Sequence, residues 1–139
     1  MTNLVVGVDG SAGSTKAVAL AVEIAAGLKC LVVLAHVLPL PAPMSPEVII
    51  PLAWLDDLAA AGKVMLSEAA EQCAKAGVQS ESRTLEGPPD QALAKLASQL
   101  GSELIAVGSR GRGPVSRLLL GSVADRLVQT AGRPVLVAR

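Results

Sequence analysis

The sequence predicts an α/β fold: an open, doubly wound, five-stranded parallel sheet with helices on both faces. Short apolar runs of strand length recur along the chain, and segments of helical period separate them. Their order, βαβ, a loop, then αβαβαβ, requires crossover connections, which join parallel neighbours with one preferred hand. At 139 residues the chain has the length of one typical domain, expected to span residues 1–139.

Leu4-Val5-Val6-Gly7-Val8 is nearly continuous in apolar character, which suits a strand covered on both faces. It ends at Asp9-Gly10-Ser11. From about Ser14 to Leu28 the period changes, and Val18, Ala21, Val22, Ala25 and Leu28 fall on one helical stripe. Leu31 to Leu38 is a second buried-type strand, stopped by Pro39-Leu40-Pro41-Ala42-Pro43. A loop of roughly fifteen residues is expected next, longer than most connections. Leu55 to Ala76 reads as a helix through Leu58, Gly62, Met65, Leu66, Ala69 and Cys73, with Gly77 as its C′ residue.

Val78 to Leu85 alternates weakly and carries Gln79, Glu81 and Arg83 on one side, as a strand near a sheet edge would. Gly87-Pro88-Pro89-Asp90 then opens a helix with a first-turn proline, its apolar stripe being Leu93, Leu96, Ala97 and Leu100. Leu104 to Val107 is a fourth strand. Ser122 precedes a last helix that runs to about Ala131 and closes at Gly132, and Pro134-Val135-Leu136-Val137 is the final strand. In such sheets ligands bind at the carboxyl ends of the strands where the winding reverses, which directs the search to the segments after Val8, Val37 and Val107.

Composition narrows the chemistry. Half the residues are apolar, 51%, yet Trp54 is the sole aromatic, so the interior is built from aliphatic side chains. Twelve basic residues balance twelve acidic ones, which gives no general attraction to nucleic acid or anionic lipid. No apolar stretch approaches the length of a membrane span, and a cytoplasmic protein with no nucleic-acid or membrane partner is expected. Cys30 and Cys73 are too few and too far apart for a disulfide framework or zinc knuckle and read as buried thiols.

After the fourth strand come Gly108-Ser109-Arg110-Gly111-Arg112-Gly113-Pro114, and the next helix is entered at Gly121-Ser122. Glycines let backbone N–H groups approach a ligand, and a helix start favours an anion. Two such segments facing one pocket make a phosphate cradle; alternatively these are turn and cap glycines. Ser122 has two available roles, as the cap of its helix with Asp125 in the first turn, or as a donor to a phosphate oxygen.

Gly108, Gly111, then nine residues, then Gly121-Ser122 resemble the G-2x-G-9x-G-(S/T) signature of the universal stress protein family. The similarity spans the chain through Val8-Asp9-Gly10-Ser11, His36-Val37 and Arg133-Pro134-Val135-Leu136-Val137. The resemblance implies a Rossmann-like fold of the adenine nucleotide alpha hydrolase kind. It also implies an ATP site, with or without Mg2+, in which Gly7, Val8, Asp9 and Val37 line the adenosine end with Val107 nearby. Gly108, Gly111, Gly121, Ser122 and Val123 would surround ribose and phosphates. It implies, too, the ATP-binding branch, a nucleotide-dependent stress-response or signalling module, and a homodimer paired through the C-terminal strand, 134–138.

Other readings stand beside these. With no Tyr or Phe, adenine would be held by aliphatic walls and backbone hydrogen bonds, unless Trp54 folds over as a lid; its other role is to anchor the long loop. Asp9 could accept from a ribose hydroxyl, hold a metal through water, or close an Asx-type turn with Ser11. Arg110 and Arg112 could pair with phosphate or be solvated. His36, without a nearby acid or Cys in sequence, reads as a satisfied histidine rather than a base or ligand. The chain lacks the G-x-x-x-x-G-K-[S/T] loop, the G-x-S-x-G elbow and H-E-x-x-H, so no catalytic residue is assigned and at most weak hydrolysis is expected. The alternative function is a slow ATPase or another adenylate-using enzyme.

Overall fold

The computed structural model describes residues 2–39, 50–110 and 120–139. Its elements are β1 (Asn3–Gly7), α1 (Ala12–Leu28), β2 (Leu31–Val37), α2 (Leu52–Lys75), β3 (Ser80–Leu85), α3 (Pro89–Leu100), β4 (Leu104–Gly108), α4 (Ser122–Thr130) and β5 (Val135–Ala138). The five strands form one parallel sheet in the order β3-β2-β1-β4-β5. The expected five-stranded doubly wound sheet is thus the observed one, and the weakly alternating Ser80–Leu85 run lies at an edge.

The apolar runs are continuous because the central strands are covered twice. Leu4, Val6 and Val8 join Val32 and Leu34 beneath α1 and α2. Val5, Val33 and Ala35 point the other way, toward Leu93, Leu96 and Ala97 of α3 and Ala124 and Leu127 of α4. Side chains of successive strand residues face opposite sides, so a strand between two helical layers is apolar along most of its length, with Asn3 and His36 as buried polar exceptions near strand ends. Cys30 and Cys73 are buried free thiols in the first layer, as expected, and burial pushes both above the ordinary thiol range.

Polar groups at the amino ends of the strands consume one another. Arg133 donates to the Ser102 carbonyl at 2.6 Å, the Ser102 hydroxyl donates to Asn3 Oδ1, and Asn3 Nδ2 donates to the Leu100 carbonyl at 3.2 Å. At the carboxyl ends the winding reverses between β1 and β4, because α1 leaves β1 on one face and α3 enters β4 from the other. The tips separate there.

Two element starts differ from the sequence reading. Helix α1 begins at Ala12, capped by Ser11, whose Oγ accepts from Ser14 N at 3.1 Å; Ser14 is a buried residue of the first turn. Helix α2 begins at Leu52, because Pro51 supplies a carbonyl that accepts from Trp54 N at 3.0 Å and Leu55 N at 3.2 Å. Trp54 therefore lies in the first turn of a helix rather than in a loop. It is 43% exposed, which departs from the buried anchor that aromatic burial suggested. The long connection expected before it lies largely outside the described residues.

Candidate functional site

The open carboxyl edge of the sheet holds a cleft of about 370 Å³. Gly7, Val8 and Asp9 reach it from the end of β1, Val37 from β2, and Val107, Gly108 and Arg110 from β4. Gly121, Ser122 and Val123 line it from the start of α4. Of the residues that the glycine signature and the strand ends pointed to, Gly111 and Arg112 lie outside the described residues and the others line one cavity. Its size is that of an ordinary small-molecule pocket, and its walls are largely aliphatic.

The two helix starts near this cleft differ in a way that decides where an anion can sit. A helix leaves its first N–H groups without intrahelical acceptors. At α1 part of the need is met internally: Ser11 Oγ takes the Ser14 N–H, while Asp9 Oδ1 accepts from Ser11 N at 2.9 Å and from Ser11 Oγ. Asp9 thus closes the Asx-type turn and places its negative charge beside the helix start. At α4 the cap residue is Gly121, with no side-chain cap hydrogen bond. Ser122 does not cap; it is the first helical residue, its side chain exposed and on the cleft wall. The physical reason is that the extended backbone of the cap position, φ −64° and ψ 160°, falls one residue earlier, on Gly121. Among the described residues no side chain caps the first N–H donors of α4, and the α4 start, with the positive end of its dipole, lies on the cavity wall.

The α1 cap makes a testable contribution to stability. Ser11→Ala removes the acceptor of Ser14 N and the hydroxyl donor to Asp9 while leaving the backbone N–H to Asp9 in place, and is expected to cost about 1 kcal/mol, read as a lower urea midpoint at unchanged m-value. An unchanged midpoint would show that the cap hydrogen bond contributes nothing.

Gly108 has a second role that the motif does not reveal. A Cβ built on it would lie 2.6 Å from the Gly13 carbonyl carbon, 2.8 Å from Gly13 Cα and 2.9 Å from Ser14 N. The tip of β4 and the first turn of α1 meet backbone to backbone, and this close approach fixes the two ends of the cleft relative to each other.

His36 is buried, and its Nδ1 lies 2.7 Å from the Val8 carbonyl. The satisfied histidine expected from sequence is therefore found, although its ring also lines the cleft. Residues that sequence reasoning did not assign to the site include Leu58, Ala61 and Met65 of α2 and Pro89 and Leu93 of α3. Leu58, Met65 and Leu93 lie on stripes that read as core; only the placement of their helices over the strand tips turns them into walls. Trp54 is not among the described lining residues. Among the described residues no group of three His, Cys, Asp or Glu could hold a metal ion, and no helix is long and apolar enough to cross a membrane.

This architecture defines a doubly wound α/β protein with its cleft at the topological switch point. The Universal stress protein family matches residues 1–139, and the chain belongs to that family. It is 31% identical to the universal stress protein YxiE of Bacillus subtilis (strain 168), over 98% of this chain and 97% of that one. The structure of a universal stress protein from Archaeoglobus fulgidus superposes with a TM-score of 0.82 at 25% identity, covering 100% of this chain and 99% of the other. A universal stress protein solved in complex with cAMP gives a TM-score of 0.76 at 30% identity, covering 99% and 97%.

Proposed function

We propose that this protein binds an adenine nucleotide, ATP in particular, in the switch-point cleft, and acts as a nucleotide-dependent module in a cytoplasmic stress response. The observation that carries the reading is the uncapped start of α4 on the wall of an otherwise aliphatic cavity. Phosphate oxygens fit the free N–H groups and the exposed Ser122 hydroxyl, while a base fits between Val8, Val37 and the α2 side chains. The relative bound to cAMP supports an adenine nucleotide as the ligand class. Arg110 is exposed and lines the cleft, which supports a contact to phosphate. Mg2+ would arrive on the phosphates; Asp9 Oδ1 accepts from Ser11.

Calorimetric titration with ATP, AMP and adenosine tests this. Binding of ATP well below millimolar is expected, and no heat at millimolar ATP, where binding free energy is only about −4 kcal/mol, would overturn the reading. Ser122→Ala is expected to weaken ATP about fivefold, the loss of roughly 1 kcal/mol, and to leave adenosine unchanged. Equal losses for both ligands would remove Ser122 from the phosphate end.

We also propose a homodimer formed through residues 134–138. Strand β5 is a sheet edge, with Val135, Leu136 and Val137 half-buried, and pairing with a second copy would cover it.

A further inference from the structure

Three observations meet at His36. Its ring is 4% exposed, and its Nδ1 sits 2.7 Å from the carbonyl oxygen of Val8. A carbonyl offers only lone pairs, so Nδ1 is the nitrogen that carries the proton, and it donates. Val8 N in turn donates to the Ala35 carbonyl at 2.8 Å. Both peptide groups of Val8 are therefore held by consecutive residues of β2, one through its backbone and one through its side chain, although Val8 lies just past the last residue of β1. The third observation is Gly62, buried in the interior of α2. A Cβ there would stand 2.5 Å from His36 Cδ2 and 2.9 Å from Nε2. Glycine is unfavourable inside a helix, and here it lets the α2 backbone rest on the imidazole.

We infer that His36 is a positioning residue for the cleft, acting through Val8 and α2 on the bound ligand. The ring fixes the Val8–Asp9 segment, by which β1 reaches the cavity. Through Gly62 it also sets how near α2 stands, and with it the Leu58, Ala61 and Met65 wall. One small side chain thus gauges the width of the pocket between two elements that do not share a strand ladder. Displacements of about 1 Å in such a shell are enough to degrade a site. The inference rests on the nucleotide reading above for the ligand it positions, but the hydrogen bond itself is open to a ligand-free measurement.

Long-range 1H–15N NMR of the ligand-free wild type, at a pH where the ring is neutral, is expected to show Nδ1 protonated and Nε2 bare. The opposite tautomer would overturn the inference whatever the variants do. In AMP titrations, His36→Leu is expected to bind about tenfold more weakly, while His36→Asn, whose amide can place an N–H near the Nδ1 position, regains most of that loss. Wild-type affinity in His36→Leu, or no recovery in His36→Asn at equal melting temperature, would refute it. If the wild type binds no adenine nucleotide, the ligand-positioning role falls with the functional reading, and the tautomer still reports separately whether His36 holds Val8.

Discussion

Replacing Gly108 with alanine is expected to destabilise the fold by about 3 kcal/mol, at the upper end of what an extra buried methyl group usually costs. The new Cβ would be driven to within 2.6–2.9 Å of three backbone atoms of Gly13 and Ser14. Relief by a rotamer change is unavailable, because the obstructing atoms are main chain. Those atoms are themselves held: Ser14 N donates to Ser11 Oγ, and Ser11 is tied to Asp9. Either α1 must lift off the sheet, exposing Ala17 and Val18, which are buried against it, or β4 must leave its register with β1. Gly27→Ala in the same helix is the control, since a Cβ there meets nothing within 4 Å and should cost no stability. Urea unfolding of both variants checks the point. A loss below about 1 kcal/mol in Gly108→Ala would mean that the contact relaxes freely, the ordinary range for overpacking starting near that value. The signature's first glycine would then owe its presence to a ligand rather than to packing.

That outcome bears on how a glycine motif is read. From sequence, Gly108, Gly121 and Ser122 form one phosphate-binding pattern of equivalent members. In the structure they have different physical grounds. Gly108 permits a backbone contact, Gly121 occupies the cap position of α4, and Ser122 is released from capping and left exposed. Sequence spacing brings these residues to the same cleft but does not distinguish their roles, because each depends on atoms distant in the chain.

The sheet was legible for a physical reason. Strands covered on both faces are apolar at nearly every position, so β1, β2 and β4 announce themselves, and a strand with Glu81, Ser82, Arg83 and Thr84 exposed stands at an edge. The carboxyl-end location of the cleft follows from the winding. The contribution of α2 was not legible. Leu58 and Met65 keep a helical period whether they face a core or a cavity, and no local signal separates the two. Trp54 was misplaced because a proline can supply the cap carbonyl of a helix as readily as it can end a strand, and Pro51 does the former.

Gly62 presents the sharpest conflict between local preference and tertiary packing, and it sets the second large effect. On helix propensity alone, Gly62→Ala would stabilise α2 by about 1 kcal/mol. The new methyl group would instead meet the imidazole at 2.5 Å, and His36 cannot swing aside without breaking its 2.7 Å hydrogen bond to Val8 in a buried setting. An overpacking cost near 3 kcal/mol then exceeds the propensity gain, and a net loss of about 2 kcal/mol is expected. A double-mutant cycle separates the two contributions. With the ring removed in His36→Ala, the same Gly62→Ala substitution has no imidazole to meet, and the sign of its effect should reverse to a gain. If Gly62→Ala is destabilising by equal amounts in both backgrounds, the glycine is explained by something other than His36, and the coupling between α2 and the tip of β1 has a different origin.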